Sequence, residues 1–256
     1  MKLQFYKYQA AGNDFVVIDN RSGDINLSSE QILRLCDRRF GVGADGVILV
    51  ANDEKKDYRV TYFNPDGTQS LCGNGCRSAV EFAHRLGLAS EHSVFAAYDG
   101  DHFADILPGG LIRIKMNDLN RIDRVLDGYY MDTGSPHFVR FVNGLSDYPV
   151  FDEGRKIRYD KIFPNGANAN FIEPIDRHTL ALRTYERGVE QETLACGTGA
   201  TASAIAASLE GYQSPVTFKA RGGDLIIDFL KQEDGSFSEI HMTGPASMVF
   251  TGVIEL

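Results

Sequence analysis

The segment LCGNGCRSAVEFAHRLG at residues 71–87 has a counterpart in ACGTGATASAIAASLEG at residues 195–211. In both, a Cys-Gly-x-Gly motif precedes a run of residues that favours helix, and the run ends in glycine. Fifteen positions separate Cys72 from Gly87, and fifteen separate Cys196 from Gly211. Glycine just past the end of a helix is a common left-handed stop signal. The sequence therefore predicts two helices of equal length, each preceded by a cysteine.

The similarity between the two regions extends on both sides of these helices. Gly12-Asn-Asp-Phe-Val precedes Cys72 by 60 positions, and Gly134-Ser-Pro-His-Phe-Val precedes Cys196 by 62. Such self-similarity is typical of a duplicated structural unit. We expect an α/β (α+β) protein of two pseudo-symmetric domains, each a mixed, mostly antiparallel sheet wrapped around a central helix. The expected halves are residues 1–118 and 119–256, and the final strand, Met248–Ile254, could return to the first half.

The predicted strands are rich in β-branched and aromatic residues. They are Val47–Val50, Tyr58–Asn64, Leu111–Met116, Leu180–Tyr185, Leu225–Leu230 and Met248–Ile254. The N-terminal segment, residues 1–19, alternates polar and apolar residues and is also predicted to be extended, so it is unlike a signal peptide.

Composition excludes several classes of function. The chain has 256 residues, of which 43% are hydrophobic, and a net charge of -9. This acidic balance disfavours nucleic acid and anionic membranes as partners, and no apolar run approaches the ~20 residues of a membrane span. We expect a cytoplasmic protein that acts on a small molecule and whose four cysteines are reduced.

Cys72 and Cys196 are the strongest candidates for catalysis. A helix N-terminus presents unpaired N–H groups and a partial positive charge. It favours the thiolate over the thiol and can also bind a carboxylate. Inverting an α-carbon requires a base on one face and an acid on the other, which two cysteines from two similar halves could supply as a thiolate and thiol pair.

Other motifs favour structural roles. Cys36 lies on the apolar face of a predicted helix, Ser28–Phe40, that opens with a capping pattern at Ser28 and Gln31, and Cys76 is also predicted to be structural. Gly41-Val-Gly-Ala-Asp-Gly46 has the spacing GxGxxG, but a helix precedes it and a strand follows. That order is the reverse of a dinucleotide site. We expect no metal, pyridoxal phosphate or other cofactor.

Several motifs together resemble those of diaminopimelate epimerase over essentially the whole chain. They are Gly12-Asn-Asp-Phe, Asn64-Pro-Asp-Gly, Cys72-Gly-Asn-Gly, Tyr185-Glu-Arg-Gly and Ala195-Cys-Gly-Thr-Gly. The resemblance implies conversion of LL-2,6-diaminopimelate to the meso form without a cofactor, as a step toward lysine and peptidoglycan. It also implies a homodimer of pseudo-symmetric α/β protomers.

The resemblance also implies roles for individual residues, with Cys72 and Cys196 as the acid and base. The substrate-binding positions are Asn13, Asn64, Gly73, Asn74, Asn168, Glu186, Arg187, Gly197 and Thr198. His137 is near the site in this family, although a structural histidine is an equal alternative. Many members carry glutamine at the position of Gly46 and asparagine at the position of Ser135. The Ser135 side chain keeps a hydroxyl that could still contribute near the site.

Two alternatives remain at this point. A proline or hydroxyproline racemase-like enzyme would share the two cysteines, but its first cysteine is typically followed by Gly-His and not by Gly73-Asn74-Gly75. A cysteine hydrolase would use Cys72 as nucleophile and His137 as base, which leaves Cys196 and the repeat unexplained. A binding protein without activity is disfavoured by the presence of both cysteines.

Overall fold

The computed structural model describes residues 1–256 as seventeen strands, four α-helices and a 3₁₀ turn at Leu145–Asp147. The strands are β1 (Lys2–Ala10), β2 (Asn13–Asp19), β3 (Gly46–Ala51), β4 (Tyr58–Phe63), β5 (His92–Ala97), β6 (Gly100–Ile106), β7 (Leu111–Lys115), β8 (Asp123–Val125), β9 (Gly128–Asp132), β10 (Pro136–Phe141), β11 (Asn168–Pro174), β12 (Thr179–Glu186), β13 (Gln191–Thr193), β14 (Val216–Ala220), β15 (Gly223–Lys231), β16 (Phe237–Pro245) and β17 (Ser247–Glu255). The helices are α1 (Ser29–Cys36), α2 (Gly73–Arg85), α3 (Val150–Arg158) and α4 (Gly197–Leu209).

The chain divides into two units of similar size. Unit 1 comprises Met1–Ile114 and Gly244–Leu256, and unit 2 comprises Lys115–Thr243. The boundary therefore lies at residues 114/115, four residues before the expected 118/119, and the C-terminal segment belongs to unit 1. The reason is that β17 pairs along its length with β1, from Lys2 opposite Glu255 to Gln9 opposite Ser247.

Each unit has the same strand order and the same alternation of strand directions. In unit 1 the order is β17-β1-β2-β3-β4-β5-β6-β7, with five antiparallel pairs and two parallel ones, β2–β3 and β4–β5. In unit 2 the order is β8-β9-β10-β11-β12-β14-β15-β16, again with two parallel pairs, β10–β11 and β12–β14. The predicted pseudo-symmetric, mostly antiparallel fold is confirmed, and β17 takes the position in unit 1 that β8 takes in unit 2.

The central helices occupy equivalent places. Helix α2 packs on β1–β4 and β17, and α4 packs on β9–β11 and β15. In unit 1 the ring of Phe82 on α2 lies against Tyr6 and Tyr8 of β1, with centroids 4.7 and 5.8 Å away. Burying one such side chain contributes ~1.5–3 kcal/mol. Helix α4 is buried at every position from Gly199 to Ala207, as its apolar composition predicts.

Helix boundaries follow from local chemistry. Both central helices have 13 residues, and Gly87 and Gly211, just past their ends, have φ of 75° and 98° as predicted. Helix α1 begins with the predicted capping box of Ser28 and Gln31. It ends at Cys36 and not at Phe40, because the Asp37 carboxylate accepts the backbone N–H groups of the next residues and holds them in a turn.

The N-terminal segment forms two strands where the alternating pattern predicted one extended stretch. Ala11 and Gly12 connect β1 to β2 with φ of 49° and 88°. Positive φ at both central residues is the signature of a tight hairpin turn that matches the twist of the strands. This turn places Asn13 at the start of β2, where its side chain can reach helix α2.

Candidate active site

Cys72 and Cys196 are the N-cap residues of α2 and α4 and have matching backbone conformations. Their φ and ψ are -130° and 114° for Cys72, and -125° and 114° for Cys196. An extended residue followed at once by helical glycines presents its side chain beside the first turn, where the N–H groups lack partners within the helix. Each unit therefore holds one cysteine in the position that the repeat predicted, Cys72 half-buried and Cys196 buried.

In unit 1, the first turn of α2 is linked to the start of β2 by side-chain amides. Asn74 is buried and donates its Nδ2 to Oδ1 of Asn13. Asn13 in turn donates its Nδ2 to Oδ2 of Asp45 at 3.0 Å. Because each amide is oriented by its neighbour, the positions of Asn13 and Asn74 beside Cys72 depend on Asp45.

Asp45 lies in the glycine-rich loop, which is the connection between α1 and β3. Arg38 holds it at 2.7 Å and also bonds to Asp14, which forms an ion pair with the buried Lys7 at 2.6 Å. Bonds to Arg38 and Lys7 hold the pKa of Asp14 at about 2, against the opposing effect of burial. The loop thus supports Asn13 through charge pairs. It follows a helix and precedes a strand, which is the order that the sequence predicted.

Gly46 begins β3 against the ring of Tyr62. A Cβ at position 46 would lie 2.5 Å from Cε2 of Tyr62, and the Tyr62 hydroxyl donates to the carbonyl of Asp45 at 3.2 Å. The tyrosine ring therefore occupies the space into which a side chain at position 46 would extend. A side chain at position 46 would therefore require Tyr62 to move.

Asn64 organises the loop that leads from β4 into α2. Its Nδ2 donates to Thr68 Oγ1 at 2.9 Å, and its Oδ1 accepts from Ser70 Oγ at 3.2 Å. The backbone of the same loop is closed by a bond from Asn64 N to the Thr68 carbonyl at 2.8 Å. The Asn64 amide thus bonds to residues of its own loop, which leads directly to Cys72.

Arg77 is a buried cation on α2 that the sequence pattern did not predict. It has no exposed surface, and its Nη2 donates to Asn74 Oδ1 at 2.6 Å. Burial lowers the pKa of Arg77 to about 10, so it remains charged at neutral pH. A positive charge is therefore enclosed five residues after Cys72, and it fixes the orientation of the Asn74 amide.

In unit 2, the first turn of α4 is linked to β10 by a cluster of hydroxyls and an imidazole. Thr198 Oγ1 lies 3.5 Å from Cys196 Sγ, 2.9 Å from His137 Nε2 and 3.5 Å from Ser135 Oγ. Ser135 Oγ is itself 3.0 Å from His137 Nε2. The structure therefore brings Ser135, His137 and Thr198 together beside Cys196.

His137 is fully buried, and both of its ring nitrogens have partners. Asn170 Nδ2 lies 3.1 Å from His137 Nδ1, on the opposite side of the ring from Thr198. Burial, and secondarily the charge of Arg187, lower the pKa of His137 to about 3. The imidazole is consequently neutral over the range in which most enzymes work.

Asn168 connects the start of β11 to two other candidates. Its Nδ2 donates to Ser135 Oγ at 3.2 Å, and its Oδ1 accepts the backbone N–H of Arg187 at 2.8 Å. The Arg187 guanidinium donates to the carbonyl of Asn165 at 3.1 Å. Glu186 is half-buried at the end of β12, and its carbonyl accepts the N–H of Glu190 at 2.8 Å. One amide thus positions the strand end that carries Glu186 and Arg187.

The remaining cysteines pack in the cores, as expected. Cys36 is 6% exposed and Cys76 is 3% exposed. Burial raises the pKa of Cys36 to about 11 and raises that of Cys76 further. Both are therefore protonated, inert thiols at neutral pH.

Two polar residues near the candidate cysteines were not singled out from the sequence. Asn170 and Arg77 are both fully buried. Asn170 stands two residues after Asn168 in the apolar strand β11, so both side chains project from the same face. A second asparagine in such a strand is the sequence signal that could have revealed it, since asparagine is depleted in strands.

The structure contains no group of three or more His, Cys, Asp or Glu side chains placed to hold a metal ion. None of its helices has the length and apolar character that a membrane-spanning helix needs.

Comparisons with known proteins agree with the fold and the motifs. A sequence model for diaminopimelate epimerase matches residues 5–122 and 129–249. The chain is 43% identical to a diaminopimelate epimerase of Flavobacterium psychrophilum, over 98% of this chain and 100% of that protein.

The fold itself is shared more widely. A phenazine biosynthesis protein of the PhzF family from Bacillus anthracis superposes with a TM-score of 0.75 and 17% identity, with full coverage of both chains. A probable proline racemase from Agrobacterium radiobacter superposes with a TM-score of 0.68 and 12% identity, covering 99% of this chain and 93% of that chain. At these identities the likeness establishes the fold alone, so chemistry must be argued from the residues.

Proposed function

Because this chain belongs to the diaminopimelate epimerase family, we propose that it interconverts LL-2,6-diaminopimelate and meso-diaminopimelate, with Cys72 and Cys196 as acid and base. The observation that carries the proposal is the matched placement of the two cysteines. Each is the extended N-cap of a 13-residue central helix, in units with the same strand order. A duplicated fold that repeats a cysteine at such a position is suited to a reaction with two opposed proton transfers.

The chemistry requires one thiolate and one thiol at the start of each turnover. The thiolate removes the α-proton from one face of the carbon, leaving a carbanion delocalised into the carboxylate. The thiol then delivers its own proton to the opposite face, so the carbon is inverted and the two cysteines have exchanged protonation states. No net charge or proton is gained or lost, and the reverse reaction starts from the resulting state.

The residues beside the cysteines would stabilise the charge that develops on the substrate carboxylate. The N–H groups of Gly73, Asn74, Gly197 and Thr198 belong to first helical turns, where the partial positive charge favours an anion. Donors arranged in advance around developing charge commonly contribute ~3–4 kcal/mol each. Asn13, held by Asp45 and Asn74, would add a side-chain contact to the reacting end.

The distal end of the substrate carries a second ammonium and carboxylate. Arg187 can pair with a carboxylate through two parallel bonds, and Glu186 can accept from an ammonium. Asn64 and Asn168 offer further donors and acceptors. Asn168 already holds the Arg187 backbone at 2.8 Å, so the recognition of the distal end would depend on β11 as well as on β12.

The alternative of a cysteine hydrolase requires His137 as a general base near neutral pH. A fully buried ring with a pKa of about 3 and hydrogen bonds on both nitrogens is poorly suited to that role. The proline racemase-like alternative shares the fold but not the sequence family.

The proposal is tested by α-proton exchange in deuterated water. Enzyme dialysed against a strong chelator, with no pyridoxal phosphate added, is incubated with LL-diaminopimelate, meso-diaminopimelate, lysine, proline and hydroxyproline. We expect deuterium at the α-carbon and stereochemical inversion with diaminopimelate only. Exchange with proline but not with diaminopimelate would overturn the substrate, and activity that depends on an added cofactor would overturn the mechanism.

A further inference from the structure

The hydrogen bonds of Asn170 fix which way its amide faces. Its Nδ2 donates to the carbonyl of Phe138 at 3.0 Å, and its Oδ1 accepts from Thr184 Oγ1 at 2.9 Å. A carbonyl can only accept, so the nitrogen of the amide must point toward Phe138. The same nitrogen lies 3.1 Å from His137 Nδ1.

The orientation of Asn170 determines the tautomer of His137. A neutral imidazole has one N–H donor and one acceptor nitrogen. Because the Asn170 amide donates to Nδ1, that nitrogen must be the acceptor, and the ring proton resides on Nε2. Both residues are fully buried, so water does not compete for these positions.

The proton on Nε2 sets the direction of the next bond. His137 Nε2 lies 2.9 Å from Thr198 Oγ1 and 3.0 Å from Ser135 Oγ, so these two hydroxyl oxygens accept its proton. The Thr198 hydroxyl proton is then available for Cys196 Sγ, 3.5 Å away. All bonds in this chain donate in one direction, from Asn170 toward the sulfur. A sulfur that receives a hydrogen bond is stabilised as the thiolate.

We propose that Asn170 is a positioning residue that holds His137 in its Nε2-protonated tautomer and thereby directs the Thr198 hydroxyl to Cys196. The importance of Asn170 for catalysis rests on the proposed function. The His137 tautomer and the pKa of the Cys196 thiol do not depend on that function. The low pKa of His137 supports the proposal, because a ring that stays neutral keeps one donor and one acceptor.

The absence of a side chain at Gly199 in helix α4 leaves space for the Asn170 amide. A Cβ at Gly199 would lie 2.4 Å from Asn170 Oδ1. The amide is therefore packed directly against the first turn of the helix that Cys196 caps. This contact and the bond to Thr184 keep Asn170 in place.

The first experiment determines the tautomer by ¹⁵N NMR of histidine-labelled protein. We expect wild-type His137 to carry its proton on Nε2, and Asn170→Asp to move a proton to Nδ1, because a carboxylate must accept there. Ser203→Ala is a matched control in the same core, since Ser203 Oγ is buried without a hydrogen-bond partner; it should leave the tautomer unchanged. A wild-type proton on Nδ1 would overturn the proposal.

The second experiment follows the Cys196 thiol by its rate of iodoacetamide alkylation against pH, with peptides assigned by mass spectrometry. In Asn170→Asp we expect the pH midpoint of Cys196 alkylation to rise by about one unit, because the thiolate loses a hydrogen bond. The comparison is made at pH values where the His137 ring of the variant is neutral. Thr198→Val should raise the midpoint equally with the tautomer intact, and Thr198→Ser should restore it. An unchanged midpoint in Thr198→Val would overturn the proposed hydrogen bond from Thr198 to the Cys196 sulfur. So would an unchanged midpoint in Asn170→Asp, if NMR shows that its His137 tautomer has changed.

Epimerase activity supplies a separate readout. The kcat/KM profile is measured in both directions, because Cys196 is the base in one direction and the acid in the other. In Asn170→Asp the acid limb of the first direction and the alkaline limb of the second should shift to higher pH by the same amount as the alkylation midpoint. Absence of diaminopimelate turnover in wild-type protein would overturn the proposed function while the NMR and alkylation results stand. If neither of these limbs shifted in an active variant whose alkylation midpoint has moved, the positioning role would be overturned.

Discussion

His137 Nε2 lies 2.9 Å from Thr198 Oγ1 and so joins β10 to the first turn of α4. Unit 1 has an equivalent connection, in which Asn74 in the first turn of α2 bonds to Asn13 at the start of β2. Thr198 and Asn74 each stand two residues after the N-cap cysteine. The duplicated fold therefore retains a polar link between strand and helix beside each cysteine, although the residue types differ.

Glycine at the third position after each cysteine gives a matched pair of stability tests. In Gly199→Ala the new Cβ would lie 2.4 Å from Asn170 Oδ1, whereas in Gly75→Ala the nearest atom is Cys72 Cβ at 3.4 Å. We expect Gly199→Ala to lower the free energy of unfolding by ~1–3 kcal/mol, and Gly75→Ala to be neutral or to raise it by up to ~1 kcal/mol. Urea unfolding of both variants measures this, and equal effects would contradict the packing of Asn170 against α4.

The buried imidazole predicts a pH dependence of stability. The pKa of His137 is about 3 in the folded protein and near its ordinary value of 6.5 when unfolded. Between these values the unfolded state binds more protons, so stability is full above pH 6.5 and falls as pH falls toward 3. His137→Gln cannot take up this proton. Between pH 7.5 and 5.5 its free energy of unfolding should therefore fall by ~1 kcal/mol less than that of wild type.

The measurement is urea unfolding of wild type and His137→Gln at the two pH values. The variant is expected to be less stable at pH 7.5, so the test is the difference between the two pH dependences and not the absolute value. Identical pH dependences would mean that His137 becomes protonated without cost in the folded protein.

Much of this fold could be predicted because its repeat is visible in the sequence. Matched glycine stops at Gly87 and Gly211 predicted both central helices, and the family resemblance is confirmed over almost the whole chain. Cys-Gly-x-Gly motifs encode local structure, which depends on near neighbours in the chain. Such features are accessible to pattern analysis.

Features that depend on distant pairing could not be predicted in the same way. The return of β17 to β1 joins residues such as Lys2 and Glu255 from opposite ends of the chain. The role of Asn170 depends on Phe138 and Thr184 on neighbouring strands, and the burial of Arg77 depends on the elements packed around α2. Nothing in the local sequence specifies these partners.

The two-base proposal predicts different outcomes for the four cysteines. Cys72→Ala and Cys196→Ala should each lower kcat/KM for diaminopimelate by at least ~10³-fold, because one face of the α-carbon loses its proton donor or acceptor. Cys36→Ala and Cys76→Ala should keep kcat/KM within a few-fold and lose ~1 kcal/mol of stability as core truncations. Steady-state kinetics and urea unfolding distinguish the pairs. Retention of activity by either N-cap variant would contradict the mechanism.

The distal end of the substrate predicts strict specificity. A reacting end needs only a carboxylate, an amine and an α-hydrogen, which every amino acid offers, so selectivity must come from Arg187, Glu186 and their neighbours. A site of polar groups rejects analogues that leave them unpaired, often by ~10⁴-fold or more. Lysine lacks the distal carboxylate and would leave Arg187 unmatched, so we expect its kcat/KM to be lower than that of LL-diaminopimelate by at least this factor.

Arg187→Ala should remove most of this discrimination. We expect the variant to lose ~10³-fold or more in kcat/KM for diaminopimelate, with little change for lysine. The fold should survive, because the Arg187 side chain makes one bond, to the Asn165 carbonyl, and its backbone bond to Asn168 remains. Arg121→Ala is a control, since that side chain is 83% exposed and pairs only with nearby Asp123. It should leave kcat/KM for both diaminopimelate and lysine unchanged. If wild type turned over lysine as well as diaminopimelate, the distal site and the named substrate would be wrong, whereas the two-cysteine chemistry could stand.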